Sequence, residues 1–263
     1  MSRLPTMLRG CLVAARFLTR VPLPDLDDAN PETLGRSALC YPLIGLTLGA
    51  VLVVLWLIAS GLSEGAAPLA IAALLLIGWT WLTGGLHLDG LADCADAWVG
   101  GLGSRERTVA ILKDPHTGAM GVIALVLILL VKFAALASLP SGEEGVLILL
   151  LTPALARAQL LALPLSTDPA RPDGMGAALH RVLPRRLGIV VLTLTASATL
   201  IAFSVADASA AGVALLGVAG LLLLVWRRSL LHRLGGFTGD TAGALVELTE
   251  AAVLMTAVLV CAA

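Results

Sequence analysis

The chain is 263 residues long, 58% hydrophobic and only 13% charged, with a formal net charge of −1 and a mean hydropathy of +0.96. A soluble domain carries about 25% charged residues, so this composition excludes a water-facing globule and defines an integral membrane protein. The near-zero net charge leaves no electrostatic footprint for nucleic acid, which is excluded as a partner.

In chain order, residues 1–36 come first, with Arg3, Arg9, Arg16, Arg20 and Arg36 among interrupted apolar residues. No small-residue cleavage site follows, so this segment reads as a cytoplasmic or interfacial lead-in rather than a cleaved signal peptide. Within it, Arg16-Phe17-Leu18-Thr19-Arg20-Val21-Pro22-Leu23-Pro24 reads as an amphipathic helix at the membrane surface, ended by prolines. Apolar runs near 42–60, 66–83, 119–139, 146–165, 188–206, 210–226 and 242–262 follow. Each approaches the roughly 20 residues needed to span a bilayer, with 66–83 and 210–226 at the short end. The expected fold is an all-α, polytopic bundle of about seven transmembrane helices, forming a single membrane-embedded domain over residues 1–263.

The connections sort by charge. Arg105, Arg107 and Lys113 lie in the loop of about 84–118. Arg171, Arg181, Arg185 and Arg186 lie in that of about 166–187, and Arg227, Arg228 and Arg233 in that of about 227–241. The connections near 61–65, 140–145 and 207–209 hold no Lys or Arg. By the positive-inside rule the N-terminus and the three longer loops are cytoplasmic and the C-terminus is outside. All the histidines fall on the cytoplasmic side, so any chemistry is expected to face the cytoplasm. Cys11, Cys40, Cys94 and Cys261 are scattered without CxxC spacing and read as reduced or packed, supporting neither a disulfide framework nor a zinc site.

Chemistry-bearing residues concentrate in four places. Gly84-Gly85-Leu86-His87-Leu88-Asp89-Gly90-Leu91-Ala92-Asp93-Cys94-Ala95-Asp96 puts three carboxylates at i, i+4 and i+7, on one face of a helix. Like charges so placed repel unless a cation sits among them. Hard oxygen ligands beside glycines suit Mg²⁺ or Mn²⁺ carrying a phosphate. Lys113-Asp114-Pro115-His116-Thr117-Gly118 offers a further carboxylate and a mobile cation, and the N–H groups of Gly118 and Gly121 at a helix start suit an anion. Gly239-Asp240 runs into the last span, where Glu247 lies seven residues on, on the same face, with Glu250 beyond. Carboxylates at that depth face a cavity, a metal or a basic partner. Arg157, inside the fourth span, needs an anion, either Glu247, Glu250 or a substrate phosphate, and Arg171 stands in the Arg171-Pro172-Asp173-Gly174-Met175-Gly176 loop. Lys132 is a second intramembrane cation, either buried or snorkelling.

These segments resemble the cobalamin synthases, the membrane-bound adenosylcobinamide-GDP ribazoletransferases of the B12 pathway. The resemblance rests on Phe17–Pro24, Tyr41-Pro42-Leu43-Ile44-Gly45, Gly84–Asp96, Leu112–Gly121, Arg171–Gly176 and Gly236–Gly243 with Glu247. Leu88 departs from the family, where an acidic residue is expected. The resemblance implies an inner-membrane enzyme that uses Mg²⁺. Its reaction joins adenosylcobinamide-GDP to α-ribazole or its 5′-phosphate with release of GMP. It implies Asp89, Asp93, Asp96, Asp240 and Glu247 as metal ligands. Lys113, Arg157 and Arg171 would hold phosphates, with His116 and Gly118 as substrate contacts. Asp93 and Asp114 would act at the reacting centre, and His87 or a carboxylate would take the hydroxyl proton. Two other readings stand beside it. One is a CDP-alcohol phosphotransferase, whose pattern is broken here at Asp93 and Cys94. The other is an ion-coupled transporter, against which the chain shows no internal repeat. Self-association of the chain is left open.

Overall fold

The structure is a computed structural model and describes residues 5–23 and 30–261. Arg3 and Pro24, both drawn into the sequence reading, lie outside the described residues. The elements are helices α1 (Thr6–Leu18), α2 (Pro31–Ser37), α3 (Tyr41–Leu62), α4 (Pro68–Thr83), α5 (Leu86–Gly100) and α6 (Arg105–Ile111). There follow α7 (Ala119–Ala137), α8 (Glu143–Ser166), α9 (Met175–Val182), α10 (Arg185–Val205), α11 (Ser209–Arg233) and α12 (Gly239–Cys261). Among the described residues the only β pairing is an isolated bridge between Pro169 and Phe237.

α8 and α12 form the centre of the bundle and are buried along most of their length. Around them α3, α4, α7, α10 and α11 turn leucine, isoleucine and valine outward, among them Leu57, Ile77, Leu127, Leu194 and Leu224. That is the surface of a protein whose solvent is lipid. Lipid gives no hydrophobic drive for helix pairing, so close packing of small residues must supply it. α3 meets α8 through Gly45 and Gly49, where an added Cβ would run into the backbone carbonyls of Pro153 and Leu150. The apolar interior between them is filled by Leu48, Leu52, Leu75, Trp79, Ile148, Leu149, Phe203 and Leu254.

Six helical segments are long and apolar enough to cross a membrane unaided: Pro31–Leu62 and α7, α8, α10, α11 and α12. The seventh expected span, 66–83, is α4. At 16 residues it measures about 24 Å, short of the roughly 30 Å hydrocarbon core. It bends by 90° into α5. The bend falls on Gly84 and Gly85, both left-handed at φ 65° and 68°, a conformation that side chains with a Cβ rarely adopt. α5 therefore lies across the end of the bundle and not through it.

Three expectations are corrected. The connection 84–118 is mostly helical: besides the helix expected for the acidic stripe, α5, it carries α6. α11 runs on past 226 to Arg233, because its last turn is basic and suits a helix C-terminus. Arg227 donates to the Ser166 carbonyl (2.9 Å) and Arg233 to the Trp98 carbonyl (3.2 Å), which holds that extension down. Cys11 and Cys40, read as unpaired, form a disulfide with their Cα atoms 5.3 Å apart. α1 folds back so that Gly10 packs on the backbone of Arg36 and Ser37, which brings the two cysteines together. Cys94 and Cys261 are free.

Candidate active site at one end of the bundle

The helical expectation for the acidic stretch holds: Asp89, Asp93 and Asp96 ride on α5. α5 packs against the first turns of α12 at Gly90, where an added Cβ would stand 2.6 Å from the Asp240 carbonyl oxygen and 3.0 Å from its Cα. This contact brings Asp240 beside the α5 aspartates. We expect Gly90→Val to push the two helices apart and reduce turnover at least ten-fold, the protein still inserting in the membrane. Wild-type turnover by that variant would show that the α5–α12 contact does not set the site.

Asp93 is half-buried. Burial, followed by the charges of Asp89, Asp240 and Asp96, pushes its carboxyl up to about 6. Among the described residues none of Asp89, Asp93 and Asp240 has a Lys or Arg partner. Nor do any three His, Cys, Asp or Glu side chains there stand close enough to form a ready-made metal shell. What the structure does show is a set of hard oxygen donors within electrostatic reach of one another, without a basic partner among the described residues. That set fits a divalent cation with substrate phosphate completing its shell.

Asp96 has a different occupation. Its two oxygens accept the backbone N–H of Gly118 (2.7 Å) and of Gly121 (2.9 Å), capping α7 from another helix. The N–H groups expected to bind a substrate anion are therefore taken by an anion of the chain itself, which corrects the assignment of Gly118 to substrate. The helix start leaves its first N–H groups without partners, and a neighbouring carboxylate satisfies them. Lys113, Asp114 and His116 lie on the exposed stretch before α7. Asp114 accepts from the His116 backbone N–H (3.0 Å) and pairs with its ring at 2.7 Å, rather than joining the α5 aspartates.

Glu247 is also reassigned. Instead of meeting a metal, its carboxylate accepts from Lys132 Nζ at 2.6 Å. Lys132 also pairs with Glu250, and Glu250 with Arg157. Trp79 Nε1 donates to Glu250 at 3.2 Å, and the Lys132 ammonium lies 5.0 Å from the Trp79 ring centroid. All five side chains are buried. Charges in the apolar interior persist only when paired, and here α4, α7, α8 and α12 each contribute a member. Arg157 is thus committed to Glu250 and not free for a substrate phosphate, although its Nη2 has no partner.

His87, at the start of α5, sits between the two layers. It is 3% exposed, neither ring nitrogen has a hydrogen-bond partner, and Arg157, Glu250 and Lys132 lie within electrostatic reach. Arg171 is half-buried, with its Nε unpartnered. Its loop is fastened to the entry of α12: Ala170 donates to the Phe237 carbonyl (2.9 Å) and Phe237 to that of Asp168 (3.0 Å). Arg171 and Asp240 therefore stand on two strands of chain tied together.

A cavity of about 240 Å³ opens beside Asp89 and Asp240, walled by Phe17, Tyr41, His87, Leu160, Leu179 and Phe237. The sequence reading missed it; Arg20, read there as part of an interfacial helix, packs on Gly84 and donates its backbone N–H to the Leu82 carbonyl at 2.7 Å. The aromatic residues of the Phe17–Pro24 and Tyr41–Gly45 segments were the available signal. Their meeting depends on α1 folding back over α3, which periodicity does not reveal.

Fold and site together define a polytopic membrane protein with a candidate active site at one end of the helical bundle. The chain matches the model of the cobalamin-5-phosphate synthase family over residues 10–258 and belongs to that family. It is 53% identical over 250 residues to the adenosylcobinamide-GDP ribazoletransferase of Pseudomonas aeruginosa, covering 94% of this chain and 97% of the relative. It is 49% identical over 244 residues to that of Stutzerimonas stutzeri, covering 93% and 95%. No solved structure matches it. The readings as a lipid-head-group transferase or a transporter are left without support.

Proposed function

We propose that the chain is an adenosylcobinamide-GDP ribazoletransferase, joining α-ribazole or its 5′-phosphate to adenosylcobinamide-GDP with release of GMP. The observation that carries the reading is the placing of Asp89 and Asp240 at the mouth of a cavity, with Asp93 within reach of both charges, in a chain about half identical to proteins so named. Because GMP leaves, the ribose hydroxyl must attack the phosphorus joined to the cobinamide. A new ribose O–P bond forms and the bond to the GMP oxygen breaks. The leaving group gains negative charge as that happens, and stabilising it is the main task of the site.

The groups that would hold Mg²⁺ are Asp89, Asp93 and Asp240, with the oxygens of Asp96 already engaged in capping α7. Bound there, Mg²⁺ supplies positive charge to the pyrophosphate oxygens. Arg171, tied to the entry of α12, is the cation placed to hold a phosphate, and Lys113 on its exposed stretch can reach in as a mobile second one. A carboxylate of the cluster takes the hydroxyl proton. The packing of α5 on α12 keeps these groups in register while substrates exchange.

The distribution of Lys and Arg supports an inner membrane location with the site facing the cytoplasm. Sealed vesicles test the activity and its sidedness together. Inside-out vesicles given adenosylcobinamide-GDP, α-ribazole 5′-phosphate and Mg²⁺ should release GMP, and should stop when any one is omitted. Right-side-out vesicles should stay silent until permeabilised. Release by intact right-side-out vesicles would reverse the orientation, and no release in either case would remove the transferase reading.

A further inference from the structure

The cavity beside Asp89 and Asp240 is too small for most of what the reaction brings together. At about 240 Å³ it falls below the roughly 300–1,000 Å³ of sites that enclose a whole drug-sized ligand. A corrin macrocycle cannot enter it, and neither can a nucleoside diphosphate as a unit. One flat bicyclic ring can.

The walls decide which ring. Phe17 and Tyr41 present rings whose centroids are 6.1 Å apart, and Leu160, Leu179 and Phe237 complete an apolar lining. The Ser37 hydroxyl, also in the wall, is already spent on the Leu34 carbonyl at 2.7 Å. Guanine carries donors and acceptors along its edges; Asp89 and Asp240 line only the more exposed rim, so inside the apolar part of the cavity most of those groups would lose water without replacement. The base of α-ribazole is a dimethylated benzimidazole. Once joined to ribose it keeps a single acceptor nitrogen, and the rest of its edge is hydrocarbon. Inside the rim the wall offers two further polar groups: the Tyr41 hydroxyl, which is engaged with Ser37, and His87, buried, lining the cavity, with neither ring nitrogen partnered. Its Cδ2 edge is the one towards Gly243, another wall residue. A half-turn about Cβ–Cγ puts Nδ1 in that place.

We propose that this cavity is the subsite for the benzimidazole base of the ribazole substrate, stacked among Phe17, Tyr41 and Phe237 with His87 donating to its free nitrogen. The proposal rests on the transferase reading. Asp89 and Asp240 stand at the more exposed rim, so a base held inside delivers its ribose to the aspartates, where the hydroxyl must react. In this arrangement α1 is part of the substrate pocket, and not only an interfacial anchor.

The test fills the cavity from positions outside the acidic site. Val13 and Leu34 also line the cavity, and in the full-length protein Leu34→Trp, and independently Val13→Phe, should raise KM for α-ribazole 5′-phosphate by roughly ten-fold or more. KM for adenosylcobinamide-GDP should stay within about two-fold, the range expected when a neighbouring subsite is untouched. The second variant and the second KM guard against a fill that merely disturbs folding. In parallel, titration calorimetry without Mg²⁺ or corrinoid should show free 5,6-dimethylbenzimidazole binding the wild type and lost in both variants. An unchanged ribazole KM in both, or a rise confined to the corrinoid substrate, would overturn the subsite while GMP release still upholds the transferase. Absence of GMP release from the wild type would overturn the transferase reading by itself. Base binding unaffected by either fill would equally overturn the subsite.

Discussion

Asp93→Asn should lower GMP release by on the order of 10²–10³-fold or more, the scale of losing a group that stabilises charge developing in the transition state. The folded protein should suffer no loss, because Asp93 is pushed towards its neutral form by burial and by Asp89, Asp240 and Asp96. Removing one of several like charges relieves repulsion, so in chelator the variant's Tm should equal or exceed that of the wild type. With a divalent ion the order should reverse: Mn²⁺, followed by electron paramagnetic resonance, should bind the wild type and bind the variant more weakly. Activity close to wild type would remove Asp93 from the reaction. An unchanged Mn²⁺ affinity would remove it from the metal while leaving its catalytic part open to the kinetics.

Glu250→Ala should have the largest effect on stability. It strips Arg157 of its carboxylate and Lys132 of one of two, and leaves Trp79 Nε1 without its acceptor. Removing one member of a buried ion pair costs about 3–5 kcal/mol, because the remaining charge is stranded. Thermal unfolding in detergent should register it as a sharply lowered Tm or loss of monodisperse protein. Glu250→Leu combined with Arg157→Leu should recover part of the loss, since apolar groups need no partner. A single Glu250→Ala variant as stable as the wild type would show that these pairs contribute nothing. Catalysis should suffer only indirectly, as Glu250 lies ten residues along α12 from Asp240, about 15 Å of helix.

How far the sequence carried these conclusions differs from element to element. The membrane class and the helical spans were legible because both depend on local apolar length. The stripe Asp89, Asp93, Asp96 was legible because a helix repeats every 3.6 residues whatever packs against it. What each acid does was less legible, because that depends on which helix lies opposite. Asp96 and the glycines at 118 and 121 were each singled out, yet only their approach shows that one satisfies the other. Glu247 shares a face with Asp240 by spacing, but the Lys132 ammonium on α7 claims its carboxylate. The Cys11–Cys40 bond and the cavity behind Phe17 both depend on α1 folding back, which no periodicity encodes. A pair of adjacent glycines, Gly84-Gly85, was visible in the sequence, but their left-handed backbone and the right-angle turn were not.

The buried group of Lys132, Arg157, Glu247 and Glu250 has an electrical consequence. In their charged forms two cations and two carboxylates cancel. A membrane voltage does work on net charge, roughly 2.3 kcal/mol per elementary charge per 100 mV, and this group presents none. Gating and ion-coupled proteins keep unbalanced charge in the field so that voltage can move it. Here the four paired charges add no net charge for a membrane voltage to move.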